Sequence, residues 1–287
     1  MSSPAEKAGT RQWVDNLIFN FWKTSPLNTL NLETGEKAWE EPLVAVARGN
    51  DPLFQKFKAD LKPFYWLPEE AWSMKFPDEP ITPEELSVIS YVLPQTPATR
   101  ADQRLEEKLP ADRWARSRDL GEKFNCALRL HLADALTEAG YPAVAPERLP
   151  DFAYQQSETF GIASNWSERH TAYVAGLGTF GLSDGLITPK GKAVRIGSVV
   201  AKIDLPVIER PYTDYQQWCL WYAFGKCGVC IRRCPVKAIT PAGHDKERCF
   251  DYIRGTTAPY AQSTYGTEAT PCGLCQVKIP CEDRIPV

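Results

Sequence analysis

The sequence predicts an α+β chain: a layered core up to about residue 210, then a cysteine-rich iron–sulfur tail over residues 211–287. Three observations carry this. Hydrophobic patterns in residues 86–202 follow the order strand, helix, strand, helix, hairpin. Eight of the nine cysteines, Cys219, Cys227, Cys230, Cys234, Cys249, Cys272, Cys275 and Cys281, fall in the last quarter of the chain. The run KCGVCIRRCP spaces Cys227, Cys230 and Cys234 by two and three residues before a proline, the final positions of a C-x2-C-x2-C-x3-C-P cluster motif.

Taken in order, residues 11–23 place Trp13, Val14, Leu17, Ile18, Phe21 and Trp22 on one helical face. Asn50, Asp51 and Pro52 read as the cap and first turn of a second helix carrying Leu53, Phe54, Phe57 and Leu61. Thr82 and Pro83 open a short turn, and LSVISYVL (86–93) is a buried strand. Trp114, Leu120, Phe124, Leu128, Leu132 and Leu136 define one long amphipathic helix from Asp112 to Ala139, stopped by Gly140. Residues 141–145 read as a strand. Ser167 is a helix N-cap leading into the glycine cluster Gly176 to Gly181, where backbone can approach a ligand closely. Gly185 to Thr188 and Val194 to Lys202 complete the core as a hairpin.

With 43% apolar and 11% aromatic residues over 287 positions, the chain is globular. A net charge of -3 and a pI of about 5.8 argue against nucleic acid as a partner. The first residues carry no apolar leader and no stretch reaches membrane-spanning length, so a cytoplasmic protein with no membrane partner is expected. Cysteines in a reducing compartment read as metal ligands before disulfides.

Eight thiols suffice for two 4Fe-4S clusters. The motif asks for its first cysteine at position 224, which is Phe224; Cys219 is the nearest substitute. The second half offers Cys249, then Cys272 and Cys275, then Cys281 after five residues and without a following proline. If the halves exchange ligands as in bacterial two-cluster ferredoxins, one cluster takes Cys219, Cys227, Cys230 and Cys281, and the other Cys234, Cys249, Cys272 and Cys275. A pair of four-cysteine zinc sites is the structural alternative. Cys126, left over, reads as a small buried hydrophobe.

NWSERHTAYVAGLGTFGLSDGLIT (165–188), RIGSVV (195–200) and the cysteine tail resemble the family of epoxyqueuosine reductases and reductive dehalogenases, and within it short members with a two-cluster ferredoxin-like domain. The resemblance is close over residues 165–281 and loose from about residue 40. It implies a nitroreductase-like core holding base-off cobalamin, two 4Fe-4S clusters that feed it electrons, a low-potential ferredoxin or flavodoxin as donor, and reductive removal of a leaving group from a small organic substrate. It also implies a cofactor-binding set of Ser167, Arg169, Gly176, Gly178, Thr179, Phe180, Gly181, Arg195, Gly197 and Ser198. The chain departs from the pattern of epoxyqueuosine reductases at Ile162, where an acidic proton donor is expected, and the dehalogenase tyrosine has two candidates, Tyr154 and Tyr173. The alternative function is a non-catalytic 4Fe-4S electron-transfer protein without cobalamin.

Glu168 and His170 are the candidate proton donors; Glu168 and Arg169 can equally form a capping and salt-bridge pair in a first helical turn. Trp218, Trp221 and Tyr222 either shield a cluster from water or pack two domains together. Lys190, Lys192 and Arg195 read as a small basic patch on a solvated turn, His131 as a surface or half-buried histidine and His244 as part of a solvated loop.

Overall fold

The computed structural model describes residues 8–61, 64–157 and 161–286. Residues 1–7, where the absence of a leader is read, lie outside that range. Among the described residues no helix is long and apolar enough to cross a membrane.

The chain opens with helix α1 (Arg11–Thr24), capped by the Thr10 hydroxyl, which accepts from the Trp13 amide at 3.2 Å, and burying Val14 and Ile18. Strand β1 (Leu43–Arg48) leads to α2 (Pro52–Leu61), where the Asp51 carboxylate accepts from the Leu53 amide and Pro52 supplies a first turn that needs no N–H. After α3 (Pro68–Lys75) comes β2 (Leu86–Pro94), buried at every residue. Next are α4 (Pro97–Leu105), capped by Thr96, and the 27-residue α5 (Asp112–Glu138), beyond which Gly140 takes a φ of 89°. The short β3 (Ala143–Val144), the pair β4 (Tyr154–Ser157) and β5 (Gly161–Ser164), and α6 (Glu168–Val174) follow. A second pair, β6 (Thr179–Phe180) and β7 (Leu186–Ile187), precedes β8 (Val194–Lys202). The tail folds as α7 (Leu220–Phe224), α8 (Val229–Arg233), a hairpin of β9 (Ile239–Thr240) and β10 (Gly243–His244), α9 (Lys246–Tyr252) and α10 (Ala258–Tyr265).

The central sheet has the order β1-β2-β8-β3, antiparallel throughout. Its alternation explains the layering. On β2, Leu86, Val88 and Val92 enter one hydrophobic cluster while Ile89, Tyr91 and Leu93 enter the other; on β8, Ile196 and Val200 face the first, Val199 and Ala201 the second. Residues of α1 and α5 fill the second cluster. Those of α2, α3 and α6 fill the first, which continues into the tail through Trp218, Cys219 and Ile239. The α+β layering expected from the sequence is present.

Two expectations fail. The segments 185–188 and 194–202 do not form a hairpin: β7 pairs with β6, and β8 inserts between β2 and β3. The cause is a tight turn closed by the Thr188–Gly191 bridge, after which the Lys192 and Ala193 amides bond to carbonyls of Cys281 and Glu282 in the tail. Cys126 is half-buried, and its sulfur lies 3.8 Å from Glu122, Arg129 and Arg148, so it belongs to a polar cluster and not to the apolar core.

Candidate active site

The thiols gather in two neighbouring groups. Cys219 sits just before α7, Cys227 and Cys230 at the start of α8, and Cys281 in the last turns of the chain; all four line a small cavity of about 20 Å³ shared with Lys192 and Trp221. Cys227 reaches it through a φ of 103°, between Gly225 and Gly228, which are also left-handed. Burial, with the thiols of Cys219, Cys230 and Cys227 adding and Lys192 opposing, pushes Cys281 up to about 11. In the second group, burial and the thiols of Cys275 and Cys234 push Cys249 up to about 12, and burial with Cys275, Cys249 and Cys234 does the same for Cys272. Among the described residues, no three His, Cys, Asp or Glu side chains converge as a site for a single metal ion.

Lys192 was read as part of a solvated turn, and the structure corrects this. It is 3% exposed. Burial disfavours its charge, yet the surrounding thiols of Cys281, Cys275, Cys230 and Cys219 outweigh that and raise its pKa. The tail is docked by α4: the Gln103 side-chain amide donates to the Cys272 carbonyl at 2.9 Å, and Arg104 pairs with the buried Glu282. Trp218 is buried, its amide donating to the Thr179 hydroxyl, whereas Tyr222 is largely exposed. Arg233 donates to the carbonyl of Leu274.

Two larger cavities adjoin the second thiol group. One, of about 300 Å³, has Cys272 in its wall together with Trp166, Glu168, Arg118, Arg129, Lys192 and Arg195. The other, of about 310 Å³, has Cys249, His170, Phe180, Tyr215, His244 and Ile162. They share Tyr154, Ser164, Ser167 and Arg169, so β4, β5 and the start of α6 form the partition between them.

At that partition the Ser167 hydroxyl caps α6 by accepting from the His170 amide. Glu168 does not pair with Arg169, because consecutive helical residues point in different directions. One Glu168 carboxyl oxygen lies 3.2 Å from Arg129 Nε; the other accepts from the Ser198 hydroxyl at 2.6 Å, and that hydroxyl accepts from the Trp166 indole at 2.9 Å. Arg129 also pairs with Glu122 and Glu147. Burial dominates, reinforced by Glu147 and only partly opposed by Arg129, and the Glu168 carboxyl is pushed up to about 8. Glu122 goes the other way: burial would raise it, but Arg195, Arg129 and Arg118 hold it down at about 2. Arg169 turns outward and donates to the Asp184 carbonyl.

His170 is held between Ser167 Oγ, 2.7 Å from Nδ1, and the Tyr215 hydroxyl, 3.2 Å from Nε2. Burial, then the charges of Arg169 and Lys246, lower its pKa to about 3, so the ring is neutral at physiological pH and offers one N–H, not an imidazolium. His244, expected in a solvated loop, bonds Asp184 at 3.1 Å. Tyr154 is exposed and lines both cavities; Tyr173 stacks on Tyr212 and lines neither.

In the glycine loop and on β8, close internal packing accounts for two of the glycines. A Cβ on Gly178 would lie 2.3 Å from the Ile187 carbonyl oxygen, and one on Gly197 would lie 2.3 Å from the Tyr91 hydroxyl, so these positions serve internal packing. Gly176, Gly178, Thr179, Gly197 and Ser198 line neither large cavity, while Phe180 and Arg195 do and Gly181 lines the thiol cavity. Sequence reading missed Arg118, Arg129, Glu147 and Tyr215. Arg129 had a signal: it falls on the apolar face of the long helix, beside Leu128 and Leu132.

No family model matches the chain. Over 127 residues it is 31% identical to an epoxyqueuosine reductase of Francisella cf. novicida (strain Fx1), a match covering 42% of this chain and 33% of that protein, so the chain corresponds to about a third of its relative's length. A catabolic reductive dehalogenase solved with 3-bromo-4-hydroxybenzoic acid shares the fold at a TM-score of 0.52 and 16% identity, over 96% of this chain and 37% of that one. A crystal structure of an epoxyqueuosine reductase aligns at a TM-score of 0.41 and 18% identity, over 85% of this chain and 62% of that one. The chain is thus similar to an epoxyqueuosine reductase in sequence and to a reductive dehalogenase in fold, the two enzyme groups that its residues 165–281 resemble.

Proposed function

We propose that the protein is an iron–sulfur, cobalamin-dependent reductase that removes a leaving group from a small organic molecule. The observation that carries this is the assembly of Cys219, Cys227, Cys230 and Cys281, drawn from both ends of the tail, around one cavity, with the remaining four thiols as mutual neighbours next to it. These groups have the membership that a ligand exchange between two cluster half-motifs gives. A four-cysteine zinc site brings its sulfurs to about 2.3 Å from one ion, whereas a cubane holds them at separate corners. The spread of the thiols suits the second. On this reading residues 1–210 are the nitroreductase-like core and residues 211–287 the ferredoxin-like module.

Cobalamin, when bound, supplies low-valent cobalt as the reductant. The lining offers hydrogen-bond donors to a polar cofactor: Trp114 leaves a buried indole N–H without a protein partner in the wall of the cavity lined by Cys272, and Arg118 lines the same wall. Cys272 and Cys249, in the cavity walls, would hold the second cluster beside this space, and exposed Cys227 would hold the first where a ferredoxin or flavodoxin donor could reach it. Glu168, protonated near neutral pH, is positioned to give a proton to the departing group, with Ser198 and Arg129 fixing its two oxygens. Neutral His170 hydrogen-bonds Ser167 and Tyr215 and orders the facing wall.

The test is metal analysis after anaerobic purification from cells supplied with cobalamin. About eight irons, two cubanes, with one cobalt per chain is the expected result. About eight irons and no cobalt, even after reconstitution, would remove the cobalamin part and leave an electron carrier.

A further inference from the structure

Helix α5 carries three arginines in its first two turns. Arg113 pairs with Glu36 and Asp102, and Arg116 with Asp112. Arg118 differs: among the described residues it makes no ion pair or hydrogen bond, although it lines the cavity that has Cys272 in its wall. The carboxylate one turn further on, Glu122, is held by Arg195 and Arg129. Arg195 adds a like charge beside Arg118; burial first and that charge second lower the Arg118 pKa to about 9. Five cationic side chains line the cavity, Arg118, Arg129, Arg169, Lys192 and Arg195, against two carboxyl groups, Glu147 and Glu168. Glu168 is pushed toward its neutral form. Arg118 is only partly buried, and its guanidinium, with no protein partner among the described residues, is an open donor set on the cavity wall for an anion.

We propose that the cavity lined by Arg118 and Cys272 binds an anionic ligand, through a carboxylate or phosphate group held by the guanidinium of Arg118. The planar fork of an arginine suits bidentate recognition of either group. This rests on the reductase reading only in naming the ligand class of the proposed reaction; the anion site itself needs neither iron nor turnover. Two sources share the chemistry: a free substrate anion and the phosphodiester of a corrinoid's nucleotide arm.

The experiment titrates inorganic phosphate and benzoate into the full chain as purified, read by calorimetry and by the melting temperature. Saturable binding is expected, weakened about tenfold or more in Arg118→Met and partly restored in Arg118→Lys, as for loss of a charge-assisted hydrogen bond. Without anion, Arg118→Met should melt close to the parent, since the partly exposed Arg118 has no ion pair or hydrogen bond among the described residues to lose. Absence of binding by the parent chain to either anion, or equal affinity in Arg118→Met, would overturn the site. If Arg118→Met fails to fold, Arg118→Lys decides: unchanged affinity overturns the proposal and weaker affinity upholds it. Repeating the titrations with cobalamin or with cobinamide, which lacks the phosphodiester, distinguishes the sources. Benzoate binding beside bound cobalamin assigns the site to substrate, and cobalamin binding that is tighter than cobinamide binding only when Arg118 is present assigns it to the cofactor. Either outcome upholds an anion site, while reductase failure shows separately as missing iron or cobalt.

Discussion

Glu168 is where the chemistry concentrates at the scale of single residues. Its carboxyl is raised from 4.5 to about 8. A folded-state pKa above the unfolded value contributes stability that is fully present below about 4.5 and lost as pH rises through about 8. Chemical denaturation against pH should therefore show the parent losing stability across this window, and Glu168→Gln, which does not titrate, losing less; equal slopes would contradict the assignment. If Glu168 is the proton donor, turnover should also fall as pH passes about 8, and the Gln variant should be slower by about 10² or more. Lys192 gives a second residue-level prediction. A buried cation among four thiols favours the more negative, reduced state of a cluster, so Lys192→Gln should shift a midpoint potential downward in a redox titration followed by EPR, with iron content unchanged. An unshifted potential would remove Lys192 from that role. Sequence alone could not distinguish this lysine from Lys190 two positions earlier, because what buries Lys192 is a tail segment ninety residues downstream.

Among the elements, the long helix and the buried strand were legible because each carries a strong local pattern: recurrent apolar residues on one face over Asp112–Glu138, and a run over Leu86–Pro94 that is apolar except for Ser87 and Ser90 and rich in β-branched residues. Helix α4 was not, although Thr96 and Pro97 repeat the cap-then-proline signature recognised at Thr82 and Pro83. Its sequence, PATRADQRL, has almost no apolar side chains, since it packs through Gln103, Arg100 and Arg104 against the cysteine tail and not into a core. The false hairpin has a related cause: β8 reads as a strand correctly, but its partners lie over one hundred residues upstream and at β3. The register of β2 and β8 sets Tyr91 opposite Gly197, with the phenol lying over the glycine and bonding Asn125 at 2.9 Å. Gly197→Ala should cost about 1–3 kcal/mol by overpacking, measurable as a lower denaturation midpoint, and an unchanged midpoint would show that Tyr91 can move aside.

For the molecule as a whole, the layered core and the tail meet through one hydrophobic cluster that runs from β2 and β8 into Trp218, Cys219 and Ile239. The membership of the two thiol groups was legible from motif spacing, but the cavities were not, because their walls combine residues from α5, the β4–β5 pair, α6 and the tail. Five of the eight thiols are raised above their ordinary range by burial, so if they bind iron as proposed, binding expels protons. On that proposal, chelating the iron should lower the melting temperature, and hydrogen exchange should rise over 219–281 more than over β2 and β8. Uniform exchange along the chain would show that the tail does not depend on metal. The most direct measurement of the ligand exchange counts iron per chain in anaerobically prepared parent, Cys219→Ala, Cys281→Ala and the double variant. If both cysteines serve one cluster, as proposed, each single variant and the double variant should retain about four of eight irons; a double variant that keeps all its iron, or loses both clusters while the single variants lose one each, would contradict the account.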